Sequence, residues 1–208
     1  MGTGTAAPPP EKFWFSALSA SHFLADMLGA VLPGILPAAM IFFKIDLGTG
    51  VLLLSVLGIT ANVFQIPAAL ICGRLPGRFV SAAGLVCGSA VLALPLLPPG
   101  TGRGALTALM VLTGIGIALV HPAGVTGVQA LRTGPDKIAG PVYMTCGFFG
   151  AAAGPYIAAT LVESGGMETL LLLFLPIAAA VGALTLHCPE PGAWRLSLER
   201  VAAAEPET

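Results

Sequence analysis

Of the 208 residues, 56% are hydrophobic and only 9% are charged, whereas soluble domains carry about a quarter charged residues, so a soluble globular protein is excluded. A net charge of -1 provides no basic field for nucleic acid, and that class of partner is excluded too. The 27 glycines and 18 prolines fit membrane-spanning helices, where both residues are more frequent than in soluble ones.

The chain starts with a Gly/Thr/Pro-rich segment that is not basic (residues 1–12), read as cytoplasmic. The apolar run after it is too long for the core of a cleavable signal peptide. A bilayer core takes about 20 apolar residues per helix. Six stretches meet or approach this, at 13–43, 49–72, 79–97, 104–131, 140–162 and 167–187, and they predict an all-α integral membrane domain over 13–187. The breaks are Lys44-Ile45-Asp46, Gly73-Arg74-Leu75-Pro76-Gly77-Arg78, Pro98-Pro99-Gly100-Thr101-Gly102-Arg103, the stretch from Arg132 to Lys137, and Glu163-Ser164-Gly165-Gly166. In the tail (188–208), Trp194, Leu198 and Val201 recur at helical spacing against Arg195, Glu199 and Arg200, which predicts a short helix lying on the membrane surface.

An even number of spans puts both ends on one side of the membrane. That side receives Lys12, Arg74, Arg78, Arg132, Lys137, Arg195 and Arg200, and the other only Lys44 and Arg103. The positive-inside rule makes the richer side the cytoplasm and predicts a multi-pass protein of the plasma (inner) membrane. Trp14 and Trp194 then belong near the cytoplasmic surface, where amphipathic rings gather. The four cysteines, Cys72, Cys87, Cys146 and Cys188, lack metal-ligand spacing and read as free thiols.

Function is sought among the few polar groups inside the spans. Between Lys12 and Lys44 the only ionisable side chains are His22 and Asp26, one helical turn apart and so on one face. A carboxylate at mid-membrane costs roughly 3 kcal/mol on insertion scales, so a chain with almost no other such group keeps it for a use. Gly29 and Pro33 continue the stripe, which lets Asp26 look into a bundle or a water-filled cavity. The second span adds Asn62 and Gln65 on one face, the fourth His121 and Gln129, the fifth Tyr143, Thr145 and Tyr156. His121-Pro122 is expected to interrupt its helix, with the imidazole satisfying freed carbonyls. Along the fifth span Gly147, Gly150 and Gly154, followed by Pro155, form a small-residue face that admits another helix to close range.

Three segments together resemble one family. Ser21-His22-Phe23-Leu24-Ala25-Asp26-Met27 followed by Pro37 is similar to the first helix of fosmidomycin-resistance-type transporters of the major facilitator superfamily. The segment ending Val120-His121-Pro122 resembles their fourth helix. The segment from Gly147 to Pro155 with Ala158-Ala159 resembles their fifth, including the Gly-Pro antiporter motif of drug/proton exchangers. The loop from Gly73 to Arg78 departs from that pattern, lacking the acidic residue the superfamily usually places there. The resemblance implies an inverted three-plus-three helix repeat equivalent to one half of a twelve-span transporter.

The expectation is therefore a half-sized secondary transporter, a parallel homodimer in lipid that works by alternating access and exports a small molecule in a proton-coupled way. Asp26 would carry the proton, His22 would tune it, and His121, Asn62, Gln65 and Gln129 would complete the proton and substrate site. The face of Gly147, Gly150, Gly154 and Pro155 is expected at the subunit contact, because it otherwise has too few partners within six helices. One alternative is a divalent-metal permease, in which two copies of His22, Asp26 and His121 supply four imidazoles and two carboxylates. Another is a structural half paired with a different six-helix subunit. A third makes His22 and His121 axial haem ligands, though no other redox motif accompanies them. With no phosphate-binding loop of the Gly-x-x-x-x-Gly-Lys-Ser/Thr type and no nucleophile–base constellation, neither ATP use nor enzymatic activity is expected, and no cofactor.

Overall fold

Proline decides where two of the spans bend. In a helix the residue four before a proline loses the N–H its carbonyl would bond, and the ring crowds that carbonyl. In the computed structural model, which describes residues 11–72, 75–130 and 138–186, the first span is α1 (Glu11–Gly29) and α2 (Val31–Phe43). It breaks next to the carbonyl of Gly29 that Pro33 cannot serve. The second span is α3 (Leu47–Val63) and α4 (Gln65–Cys72), broken at the carbonyl that Pro67 cannot serve. The third begins as α5 (Gly77–Gly88) and tightens into a 3-10 segment, Ser89–Leu96, which contains Pro95. The fourth is α6 (Arg103–Ala130) and the fifth α7 (Ala139–Gly165). The sixth opens with a 3-10 segment, Met167–Leu173, and continues as α8 (Phe174–Leu186).

The described residues are helical throughout apart from short turns, and six helical stretches are long and apolar enough to cross a membrane: Lys12–Phe43, Leu47–Cys72, Gly77–Leu96, Arg103–Gln129, Ala139–Gly165 and Met167–Thr185. Each lies within a few residues of its expected position. The tail helix around Trp194, the thiol of Cys188, and the cations Arg74, Arg132, Lys137, Arg195 and Arg200 lie outside the described residues. Cys72, Cys87 and Cys146 are free thiols, each half-buried. Trp14, near the start of α1, is 3% exposed and packs against the bundle.

In lipid, a leucine gains little by leaving hydrocarbon for a helix interface, so close packing holds such bundles together. Glycine sets the closest approaches here. Along α7 the buried Gly147, Gly150 and Gly154 lie against α1. A methyl on Gly150 would overlap the carbonyl oxygen of Phe23, and one on Gly154 would stand 2.7 Å from the carbonyl oxygen of Met27. A second seam joins α5 to α6. A methyl on Gly116 would overlap the backbone nitrogen of Gly88, and one on Gly84 would come 2.7 Å from the carbonyl oxygen of Gly116. Pro155 presents its backbone to Gly34 of α2.

These contacts correct one expectation. The face of Gly147, Gly150 and Gly154 is covered within the chain by α1, so these three are not left for a subunit contact, while the half-buried Pro155 meets α2. Their role is helix packing. The sequence pattern reveals a close neighbour without saying which helix it is.

The first two spans turn around Lys44, whose left-handed backbone (φ 55°) ends α2, and Asp46, whose carboxylate accepts a 2.6 Å hydrogen bond from the Thr49 N–H and caps α3. That bond to the Thr49 backbone holds the Asp46 carboxyl below the usual carboxylate range. A group with a lowered folded-state pKa adds stability above its ordinary pKa and loses it as pH falls through the lowered value. Acidification through that value, or Asp46→Ala at neutral pH, should therefore loosen the first turn of α3. Amide exchange at Thr49 reads this directly, and indifference to both changes would show that the cap does nothing.

Candidate functional site

His22 and Asp26 occupy successive turns near the end of α1, and α6 brings His121 to them. His22 Nε2 lies 3.4 Å from Asp26 Oδ2, and His121 Nε2 lies 3.0 Å from Asp26 Oδ1. The two imidazoles meet edge to face with ring centroids 5.0 Å apart. His22 is 1% exposed, whereas the side chains of Asp26 and His121 keep about a fifth of their surface open, at 19% and 20%.

The other ring nitrogens settle the hydrogen positions. His22 Nδ1 is 2.9 Å from the carbonyl oxygen of Tyr143, and His121 Nδ1 is 2.8 Å from that of Ile117. A carbonyl only accepts, so each Nδ1 donates and carries the hydrogen. Both Nε2 atoms are thereby turned towards one carboxylate. If both rings were neutral and the carboxylate ionised, lone pairs would face lone pairs on both sides. One proton shared among the three groups turns that opposition into a hydrogen bond, and a divalent cation between them would do the same. Chemically, the arrangement can hold a positive species between the three groups.

The stripe anticipated on α1 faces a cavity of about 540 Å³. Asp26, Gly29 and Pro33 line it from the first span, Asn62 and Gln65 from the second, and His121 from the fourth. The Asn62 amide nitrogen donates to the carbonyl of Gly58 at 2.8 Å and that of Gln65 to Ala61 at 3.2 Å, so both amides are anchored to their own helix. Of the expected site residues, five gather: His22, Asp26 and His121 as a cluster, Asn62 and Gln65 along the wall. His22 stands behind Asp26 and does not line the cavity. Gln129 is exposed near the end of α6, eight residues beyond His121, and is not brought to the site.

Two further differences concern α6 and α7. The helix is not interrupted at His121-Pro122: α6 runs through Pro122, and the imidazole bonds the carbonyl of Ile117, four residues before itself, rather than that of Ala118, which the proline leaves unserved. Gly147 belongs to the site, since a methyl there would stand 2.5 Å from His22 Nε2 and overlap Asp26 Oδ2. One of the packing glycines is thus the space in which the pair sits.

Tyr143, one of the polar groups of the fifth span, is not among the residues expected at the site, yet the structure brings it there. Its ring stacks on His22 at 4.2 Å with 16° between planes, and its carbonyl fixes the His22 tautomer. Its place four residues before Gly147, hence on the same helical face, was the available signal. The Tyr143 hydroxyl is buried against Gly124 with no hydrogen-bond partner among the described residues. An unsatisfied buried hydroxyl costs about 1–3 kcal/mol, so Tyr143→Phe should leave thermal stability unchanged or raise it. Tyr143→Ala should cost about 3–5 kcal/mol, as for other buried aromatics. A Phe variant that melts well below wild type would mean the hydroxyl has a partner after all.

Six apolar helices around a polar cluster define a multi-pass membrane protein. Comparison with protein-family models, with curated proteins and with solved structures finds no match for this chain.

Proposed function

We propose that this chain forms one half of a secondary transporter of the plasma membrane, a parallel homodimer that exports a small molecule in exchange for protons by alternating access. The observation that carries this reading is Asp26, held between two imidazoles on the wall of a cavity within the spans. In such a transporter the two halves are parallel repeats about an axis along the membrane normal, and binding sites lie near the midplane at their interface. Both termini are cytoplasmic, so a second copy has the orientation that a second half requires, and it closes the cavity from the other side. Within one half, an inverted three-plus-three repeat makes the first and fourth spans equivalent. These are α1 and α6, the helices that supply the triad.

In this mechanism the site holds one proton in the state open to one side and yields it when exposed to the other. Asp26 takes and releases the proton, and His22, locked by Tyr143, holds it in place. Asn62, Gln65 and His121 contact the substrate across the cavity. The cycle needs no nucleophile, nucleotide or cofactor.

Fosmidomycin, the compound for which the resembled family is named, serves as the probe. In proteoliposomes an imposed pH gradient should drive its movement, and Asp26→Asn should reduce that movement to the protein-free background while leaving binding in place. The amide keeps the shape and a hydrogen-bonding capacity but no longer titrates. Undiminished pH-driven transport by the Asn variant would remove Asp26 from the proton role, and full activity in a species of monomer mass would remove the dimer.

A further inference from the structure

We propose that His22, Asp26 and His121 bind a first-row divalent transition-metal cation, and that such an ion is a substrate carried through the cavity. The inference rests on the reading of the cavity as a transport path and names a substrate class for it.

Three donor atoms, two imidazole nitrogens and one carboxylate oxygen, lie within 4.8 Å of one another. His121 Nε2 stands 3.0 Å from Asp26 Oδ1 and His22 Nε2 3.4 Å from the other carboxylate oxygen, Oδ2, separations of the size found between neighbouring ligands around an ion with bonds of about 2.1 Å. Closing the set on an ion requires side-chain adjustment, not movement of helices. The rings are also oriented as ligands. A metal-bound histidine almost always donates its other N–H to a carbonyl, carboxylate or water, which fixes the tautomer and aims the lone pair. Both rings do so here, from Nδ1 to the carbonyls of Tyr143 and Ile117, leaving both Nε2 atoms convergent.

The donor types narrow the choice of ion. Calcium and magnesium prefer all-oxygen shells, and copper(I) prefers sulfur. No cysteine is part of the cluster. Imidazole with carboxylate suits zinc, cobalt, nickel and ferrous iron. The number of ligands suits a cargo site, because three donors leave coordination positions open. Asp26 and His121 border the cavity, so water or the oxygens of Asn62 and Gln65 can complete the shell and be exchanged as the ion moves.

Cobalt(II) is the probe, because its visible spectrum reports coordination, with zinc as competitor. Tag-free full-length protein should bind one Co²⁺ per chain and release it to Zn²⁺. X-ray absorption at the zinc edge of wild-type protein should show two imidazoles per ion, a check that needs no variant. His22→Gln, Asp26→Asn and His121→Gln should each weaken Co²⁺ binding by more than about tenfold, the loss seen even for outer-shell partners. His187→Gln, altering the third histidine of the sequence, should leave it unchanged. Proteoliposomes should carry Co²⁺, and the three variants should not. Absence of saturable Co²⁺ binding, a bound ion without two imidazoles, or binding that survives all three substitutions overturns the proposal. If pH-driven fosmidomycin transport persists in that case, the transporter reading stands without the metal. Binding at the triad without movement across the membrane overturns the cargo assignment, and if fosmidomycin is also not carried, the transporter reading fails with it.

Discussion

Gly150→Leu should separate the first span from the fifth and destabilise the monomer by more than about 3 kcal/mol, beyond the usual 1–3 kcal/mol cost of overpacking. The reason lies in what the new side chain meets. Its Cβ alone would overlap the carbonyl oxygen of Phe23 and stand 2.8 Å from the carbonyl carbon, backbone atoms that no rotamer change can move. Gly150→Ala should give a smaller effect of the same sign. Thermal or denaturant unfolding of the solubilised protein measures both. A Leu variant with wild-type stability would mean that α1 and α7 are not in backbone contact at this level, and would return the glycine face to a possible subunit interface.

Gly147→Ala, three residues away on the same face, should fail differently. The added methyl meets the Asp26 carboxylate and the His22 ring; the ring is held by Tyr143, but the partly exposed carboxylate can swing aside, so the cost in stability should stay within about 1–3 kcal/mol. Swinging aside opens the contact between His22 and Asp26. A hydrogen bond to a charged group is worth about 1.5–3 kcal/mol, which corresponds to tenfold or more in the occupancy of a bound ion. Proton-driven transport and Co²⁺ binding should both fall by at least that factor in a protein that still folds. Wild-type binding in a folded Gly147→Ala protein would show that the pair does not need the space the glycine leaves.

The spans were legible because a run of apolar residues long enough to cross a bilayer needs no tertiary information to be recognised. Asp26, His22 and His121 were legible for a related reason: an ionisable group inside such a run is costly, so the few present stand out. Placing them together required α1 and α6 to be neighbours, which the resemblance implied and which periodicity alone does not. The bends were only half legible. Pro33 and Pro67 sit beside breaks, yet Pro37, Pro122 and Pro155 lie inside unbroken helices, so a proline in a span does not by itself mark a break. Gln129 failed as a site residue because a polar side chain near a span end is inexpensive and carries no signal of use. Tyr143 stood out as a polar group within a span but not as part of the site, because what it gives the site is a backbone carbonyl and a ring face, neither of which its residue type announces.

The two glycine seams divide the bundle mechanically. Where backbones touch, as between α1 and α7 and between α5 and α6, no layer of side chains remains to yield, so each pair is expected to move as a unit. Between the pairs, α1 meets α6 through side chains, among them Gly29 against Ile117 and Asp26 against His121. The triad therefore bridges the two pairs, with two members on α1 and the third on α6. A proton or ion bound there, as proposed above, would bridge the two pairs through Asp26 and His121.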